Sequence, residues 1–418
     1  MLLPKTDSEK KREIITICLF LLCVVLSSMN FMGKYFYCVY TGAVFLFAFR
    51  NKTAKLPVCV AFFALFLFAV CADIFSDPAL FGPEPTRYLK PFAFPLIFAM
   101  GYNYFKEEEP LGLSDKKLIL LVSCVAGGGL IHIMLNFALH LDLHGTAVDG
   151  RSTVDFWSRQ IVSATIQAAL GCVFIGLAAA WIFSEAKLYK KIVAVLGLAI
   201  FFGYNLILAG RMPIALFFLA VFAAAVLFFS AYRGPDSKKY KIRVLCAVLL
   251  LAFSLALICI FDIANLKTTI VHSPLYQRFF GRDSMGLTED TRLECKAAYL
   301  SRLFSHLTGG GNIYKETGVH AHDLYLDTWD VTGALSALAI VVYCVSSFIN
   351  SARFIFNRNH SFEARQIVFC IYLVLHVQFL FEPIMVGLPW LFASLCLIDG
   401  YIARINEKTR GPVSEKPA

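Results

Sequence analysis

The chain has 418 residues, of which 58% are hydrophobic, 16% charged and 15% aromatic, and its formal net charge is +9. A typical soluble domain carries about 25% charged residues, so this chain has too few charges to cover a water-exposed surface. Its aromatic content also argues against a disordered chain. The composition therefore predicts that most of the chain faces lipid, and it raises the question of where the positive charge lies.

Twelve apolar runs approach the length of about 20 residues that a helix needs to cross a bilayer. In chain order they are 14–32, 35–49, 56–75, 89–105, 118–140, 160–183, 192–208, 212–230, 244–262, 326–349, 367–381 and 383–403. No alternation typical of membrane strands occurs in them. We therefore predict an all-α polytopic membrane protein with about 12 transmembrane helices.

The basic residues are divided unequally between the two sides of this arrangement. One side holds 25 of the 38 Lys and Arg residues, and the other side holds 13. Because cytoplasmic loops are enriched in Lys and Arg, the first side is predicted to be cytoplasmic, and both termini lie on it. No small-residue cleavage site follows the first apolar run, which indicates an uncleaved helix rather than a signal peptide.

Four parts follow from this topology. Residues 1–262 contain the first nine transmembrane helices with a cytoplasmic N-terminus, and 263–325 form one large extracytoplasmic loop between helices 9 and 10. Residues 326–403 contain the last three helices, and 404–418 form a cytoplasmic tail.

The large loop contains one stretch with helical periodicity. Leu293, Ala297, Leu300 and Phe304 recur at helical spacing within 291–304, which predicts a helix that lies along the membrane surface or over a cavity. Of the 13 cysteines, only Cys295 lies in a long polar segment, and no Cys or His spacing typical of a metal site is present.

Arginines on the outer side are the first candidate binding groups. A guanidinium is planar, remains charged, and can bind a phosphate through two N–H groups, so a set of them fits a diphosphate at the membrane surface. The alternative for any single Arg is a side chain that extends along the apolar surface to reach water.

Arg211 is the most specific of these arginines. It lies in a turn of a few residues between two spans, where Gly210 permits the turn and Pro213 suits the first turn of the next helix. The N–H groups and dipole of that helix N-terminus favour an anion. The alternative is an Arg that fixes the depth of the hairpin in the membrane.

Histidines and acids precede the tenth span. His320 and His322 form a His-x-His pair, which is a weak metal signal without further spaced ligands, but a neutral His can accept a proton from a sugar hydroxyl. Asp323, Asp327 and Asp330 follow at helical spacing. They are predicted to orient a His or bind sugar hydroxyls, or else to complement the helix dipole.

A second polar set lies inside the fifth span. His132, Asn136 and His140 recur every four residues and share a helix face. Structural hydrogen bonding is the favoured interpretation, because polar stripes of this kind often join helices.

Two stretches resemble the signature of bacterial O-antigen ligases and related polysaccharide polymerases. They are DTRLECKAAYLSRLFSHLTGGGN and VHAHDLYLDTWDVTGALSAL, and LAGRMPIALFF is similar to the family's short Arg-containing turn. The segments around Arg87 and Arg151 match more loosely. Asp323 departs from the pattern, because Asn is usual at this position of the family.

The resemblance implies a GT-C-like fold and an inverting, metal-independent glycosyltransferase without a cofactor. The donor would be an undecaprenyl-diphosphate-linked glycan. The acceptor would be a hydroxyl of lipid A–core, at the periplasmic or extracellular face of the bacterial cytoplasmic membrane. By matching position, His322 would be the catalytic base and Arg211 and Arg292 would hold the diphosphate. Arg151 and Arg278 are further diphosphate candidates, and His320 and Asp323 would support the site.

Two other functions remain open. A polymerase that joins repeat units onto a growing glycan would use the same donor. A secondary transporter is a different class, against which the absence of repeat symmetry and of basic residues deep within the spans argues. No glycine-rich phosphate loop is present. The expected partners are the undecaprenyl-diphosphate-linked glycan donor, the lipid A–core or growing glycan acceptor, and membrane lipids; a nucleic-acid partner is not predicted.

Overall fold

The computed structural model describes residues 7–31, 55–76, 86–104, 110–142, 152–233, 265–280 and 291–409, with positions 237–239, 241–242, 246, 253 and 260. The predicted span 35–49 and most of 244–262 lie outside the described residues.

The described part of the chain is predominantly helical. Its helices are α1 Asp7–Ser28, α2 Val60–Phe75, α3 Thr86–Tyr104, α4 Leu111–Asp142, α5 Ala164–Phe183, α6 Leu188–Leu208, α7 Met212–Ala231, α8 Leu266–His272, α9 Pro274–Phe280, α10 Thr291–Arg302, α11 Asn312–Thr317, α12 Leu324–Thr332, α13 Ala334–Phe356, α14 Phe362–Phe379, α15 Ile384–Gly387 and α16 Pro389–Thr409. A 3₁₀ turn, Leu303–Ser305, extends α10.

Six of the described helices are long and apolar enough to cross a membrane, judged by length and composition. They contain Leu111–His140, Ala164–Phe183, Leu188–Leu208, Met212–Ala231, Ala334–Phe356 and Phe362–Phe379. The prediction of an all-α membrane protein is confirmed at this level. Large apolar side chains are exposed on α6, α7 and α13, among them Leu196, Phe222 and Phe348.

The chain forms two compact units. The first contains residues 1–131, 292–361 and 379–418, and the second contains 132–291 and 362–378. The predicted loop 263–325 is therefore divided, since α8 and α9 belong to the second unit and α10 to α12 belong to the first.

Close backbone contact joins α3 and α16 in the first unit. A Cβ on Gly101 would lie 2.0 Å from the carbonyl oxygen of Leu397, and one on Gly400 would lie 2.0 Å from that of Phe98. Small residues at such crossings let membrane helices approach each other closely.

The predicted span 326–349 begins differently in the structure. The chain bends at Gly333, whose φ of +90° favours glycine, and this bend separates the short helix α12 from the membrane-length helix α13. A Cβ on Gly333 would lie 3.1 Å from the carbonyl oxygen of Leu307. The close packing of this bend against the loop therefore separates the residues before Gly333 into a helix of their own.

A short β-hairpin precedes α5 in the second unit. Strand β1, Ser152–Val154, pairs antiparallel with β2, Ile161–Ser163. The helix of the predicted span 160–183 therefore begins at Ala164.

Candidate functional site

Helix α10 carries two cations one turn apart, and each contacts an acid. Arg292 Nη2 lies 3.1 Å from Glu382 Oε1, and the Glu382 side chain is almost completely buried. Lys296 Nζ lies 3.2 Å from Asp323 Oδ2. The helix is thereby attached both to the segment before α15 and to the segment that follows His322.

Lys296 makes two further contacts with the segment before α15. Its ammonium donates to the carbonyl oxygen of Leu380 and lies 5.0 Å from the centre of the Phe381 ring. A cation over an aromatic face gains electrostatic attraction. These contacts join α10 to the segment before α15 without using Arg292.

His322 occupies the residue directly before the N-cap of α12. Its φ is +53°, in the left-handed region that few residues other than Gly adopt, and its side chain is half-buried. Asp323 Oδ1 accepts hydrogen bonds from the backbone N–H groups of Tyr325 at 2.9 Å and Leu326 at 3.2 Å. Asp323 therefore caps the N-terminus of α12, directly after the left-handed backbone of His322.

Asp327 and Asp330 are buried and bind backbone amides of the loop. Asp327 accepts from the N–H groups of Ala321 and Asp323, both at 2.9 Å. Asp330 accepts from the N–H groups of Ile313 at 2.8 Å and Tyr314 at 3.0 Å. Both carboxylates fold the loop onto α12, which explains their helical spacing without a contact to sugar hydroxyls.

Burial raises the pKa of Asp327 to about 7, although the hydrogen bonds from the N–H groups of Asp323 and Ala321 act in the opposite direction. His320 lies beside it, with its Nδ1 3.9 Å from Asp327 Oδ1.

His320 stacks on Tyr314, with ring centres 4.4 Å apart and an interplanar angle of 18°. Burial lowers the pKa of His320, and the charge of Asp330 opposes this shift. Burial thus favours the neutral form of His320, and its ring supports the loop by packing on Tyr314.

Arg211 lies in the second unit and is the N-cap residue of α7. The preceding helix ends with Ala209 at φ +54°, and Pro213 stands in the first turn of α7, as predicted. Ala209, rather than Gly210, takes the left-handed conformation. A Cβ at Gly210 would lie 2.7 Å from Asn205 Oδ1, so the end of the Asn205 side chain would have to shift to accommodate it.

The first turn of α7 contains no acidic side chain. The positive end of the helix dipole is therefore not offset by a carboxylate within that turn, and Arg211, which is half-buried, adds a full charge to it.

The other arginines assigned to the outer side are described only in part. Arg151 and Arg282 lie outside the described residues, and for Arg278 in α9 and Arg87 in α3 the structure describes the backbone alone. Arg159 is exposed, with its guanidinium 5.4 Å from the centre of the Phe156 ring. The predicted diphosphate roles of Arg151 and Arg278 stay predictions.

Arg302 and His306 share one acidic partner in the loop. Arg302 Nε lies 3.4 Å from Glu316 Oε2, and His306 Nε2 lies 3.0 Å from Glu316 Oε1. These contacts are partly exposed. Arg302 and His306 are therefore matched controls for Arg292 and His322, since they have the same side chains in the same loop.

The polar face of α4 anchors the β-hairpin. His132 Nε2 lies 2.7 Å from Asp155 Oδ1, and Asn136 Oδ1 accepts from the N–H group of Phe156 at 2.8 Å. Burial alone would raise the pKa of Asp155, but hydrogen bonds from His132 and Ser158 outweigh it and lower that pKa to about 2. Structural hydrogen bonding, the favoured interpretation of this face, agrees with these contacts.

Two residues that form the contacts of α10 were not predicted from the sequence. Glu382 is an isolated acid in the otherwise apolar stretch FLFEPIMVG, and that isolation is a usable signal because a buried carboxylate needs a partner. Lys296 appears in the sequence as a solvated residue opposite the apolar stripe, and only the fold reveals its contact with Asp323.

In the part of the chain that the structure describes, no group of three or more His, Cys, Asp or Glu side chains has the arrangement of a metal site. No protein-family model matches the chain, and no curated protein matches it.

Proposed function

We propose that this protein is an inverting, metal-independent glycosyltransferase. It transfers a glycan from undecaprenyl diphosphate onto a hydroxyl of lipid A–core at the outer face of the bacterial cytoplasmic membrane. The proposal includes about 12 transmembrane helices in a GT-C-like arrangement, cytoplasmic termini, and one large outer loop between helices 9 and 10.

One observation supports the proposal above the others. The ion pair between Lys296 and Asp323, at 3.2 Å, attaches the helix that carries Arg292 to the residue that follows His322. A candidate base and a candidate phosphate ligand, 30 positions apart in sequence, thus belong to one packed cluster.

In the proposed reaction His322 accepts the proton of the acceptor hydroxyl, whose oxygen attacks the anomeric carbon of the donor sugar. The bond from that carbon to the diphosphate breaks, and Arg292 neutralises the charge that develops on the leaving group. Prearranged donors of this kind contribute several kcal/mol to catalysis in a site shielded from water. Arg211, at the N-terminus of α7, is proposed as a separate diphosphate contact.

The acidic partner of Arg292 has a defined place in this mechanism. A guanidinium carries five N–H donors, so the contact with Glu382 at 3.1 Å is compatible with a second contact to a phosphate oxygen. Glu382 then orients the guanidinium, and the approaching diphosphate shares it.

The test is a reconstituted transfer assay. The purified protein, in proteoliposomes with undecaprenyl-diphosphate glycan, is given lipid A–core, a glycan repeat unit on the same carrier, or no acceptor. Transfer to lipid A–core is expected; elongation without it would instead identify a polymerase. Absence of both reactions would contradict the proposal.

Matched variants identify the residues. His322→Ala is expected to abolish transfer, whereas His306→Ala, in the same loop, retains it. Arg292→Ala is expected to abolish transfer, whereas Arg302→Ala, on the same helix, retains it. EDTA should leave the rate unchanged, and a strict metal requirement would overturn the Arg-based mechanism.

A further inference from the structure

The apolar stripe of α10 points away from the protein. Leu293, Leu300 and Phe304 are 60%, 56% and 82% exposed, whereas Tyr299 on the opposite side of the helix is fully buried. An amphipathic helix in a soluble protein turns its apolar stripe toward the core. Here the core contact uses the other side, so the stripe requires an apolar environment outside the protein.

The stripe is continuous with the surface of a membrane-length helix in the same unit. After Phe304 the chain reaches Leu307, which is 53% exposed and whose carbonyl oxygen accepts a hydrogen bond of 2.9 Å from the N–H group of Ala334, the first residue of α13. Leu335 and Leu338 on α13 are exposed as well. The apolar surface of the loop thus meets the apolar surface of a candidate transmembrane helix where that helix begins.

Trp329 fixes this junction. Its Nε1–H donates to the carbonyl oxygens of Leu303 and His306, both at 3.1 Å, and its ring lies 6.2 Å from that of Phe304 in an edge-on arrangement. The end of α10 is therefore held at one level relative to the start of α13. Aromatic residues are enriched at this level of membrane proteins, where apolar rings meet the headgroups.

We propose that α10 is an interfacial membrane helix whose stripe of Leu293, Ala297, Leu300 and Phe304 inserts into the leaflet at the Ala334 end of α13. Its occupant is a phospholipid surface, because the stripe is continuous with the exposed apolar residues Leu335 and Leu338 of the membrane-length helix α13. Helices of this type lie about 5–10 Å deep at the boundary between headgroups and acyl chains.

One consequence rests on the proposed function. Arg292 lies on the same helix as the stripe, so insertion places its guanidinium at headgroup depth, where the diphosphate of a polyprenyl-linked donor lies. The insertion itself does not depend on that function, and its test needs no activity measurement.

The test measures depth with a fluorescent amino acid incorporated at position 300 or 304. Position 315 in α11, where the exposed Lys315 stands, is the control. This label avoids the native cysteines and replaces exposed side chains only. Each protein is reconstituted in vesicles containing phosphatidylglycerol, and its monodispersity is checked by gel filtration beforehand.

Lipid-borne nitroxides are expected to quench the label at 300 and 304 several-fold more strongly than the label at 315, while iodide in the buffer shows the reverse order. Strong iodide quenching at 300 and 304 would overturn the proposal. Protection of both positions from iodide and nitroxides alike would also overturn it, because a protein partner would then cover the stripe.

Discussion

Arg292 is assigned two effects that a single substitution does not separate. It neutralises the buried Glu382, and it is proposed to bind the diphosphate. Removal of one partner of a buried ion pair typically costs about 3–5 kcal/mol, and the Arg292 side chain is 22% exposed, so a value toward the lower end is expected. Loss of transfer in Arg292→Ala therefore has two explanations.

A double variant distinguishes them. Glu382→Gln in the Arg292→Ala background removes the uncompensated carboxylate, and thermal unfolding in detergent should return toward the wild-type midpoint. Transfer is expected to remain absent, because the guanidinium is still missing. Recovery of transfer together with stability would limit Arg292 to neutralising Glu382.

Asp327 predicts a pH dependence of stability. Its pKa in the folded protein, about 7, lies above the ordinary value of 3.8. The folded state therefore binds a proton more strongly than the unfolded state does. This contribution to stability is complete below the ordinary pKa of 3.8, and it is lost as the pH rises through 7.

Thermal unfolding between pH 5 and 8 checks this prediction. Asp327→Asn should unfold at a midpoint that varies less with pH than the wild-type midpoint does, even if the substitution lowers stability throughout. Glu294→Gln, which alters an exposed carboxylate on α10, should leave the wild-type slope unchanged. An unchanged slope in Asp327→Asn would contradict the assignment.

At the scale of elements, the contacts of the β-hairpin before α5 predict how a substitution changes its sensitivity to proteolysis. Asp155 joins the hairpin to α4 through His132, and Tyr204 donates a hydrogen bond of 2.8 Å to Thr153 Oγ1. Asp155→Ala removes the acceptor of His132 and of the N–H groups of Trp157 and Ser158. Limited proteolysis is expected to cut the variant faster within 152–163, and unchanged cleavage would show that the hairpin does not depend on this contact.

Because of this contact, a His132→Ala variant does not by itself separate a transferase from a transporter. Loss of function in His132→Ala fits a transport pathway, but it also fits a displaced hairpin. His132 variants are therefore informative only when proteolysis shows that the hairpin is intact.

The crossing of α3 and α16 predicts a strong response to one methyl group. Gly400→Ala places its Cβ 2.0 Å from a backbone oxygen that cannot move independently, and overpacking of this kind costs about 1–3 kcal/mol or more. Gly127→Ala in α4 is the matched control, since nothing lies within 4 Å of its Cβ. A lower thermal midpoint is expected for Gly400→Ala alone, and equal midpoints would contradict the close crossing.

Continuous apolar runs predicted most described membrane helices within a few residues, because length and hydropathy are local properties. The predicted helix 291–304 matches α10 and its 3₁₀ turn for the same reason. The break at Gly333 was not predicted, since it depends on packing against Leu307. Local pattern also identified His322 and Arg292 as candidates, whereas the roles of Lys296 and Glu382 depend on contacts across more than 25 residues of sequence.

At the scale of the whole molecule, the retention of basic loops in the cytoplasm explains the net charge of +9 only if the chain crosses the membrane as predicted. Arg211 and the loop helix α10 are separated by α7, a basic segment at 233–243, and the apolar run 244–262. If both α7 and the run 244–262 cross the membrane, the chain returns to the face on which Arg211 lies. If only one of them crosses, Arg211 and His322 lie on opposite faces.

Reporter fusions decide between these topologies. Alkaline phosphatase fused after residue 211 or after residue 317 is expected to be active, because both points are predicted to lie outside. Fusion after residue 243 is expected to be inactive, since it keeps the whole basic segment 233–243, which is predicted to stay in the cytoplasm. Inactivity after 317 would place His322 on the cytoplasmic side. The proposed donor site and the interfacial helix α10 would then not lie on the face of the membrane that the distribution of Lys and Arg predicts for them.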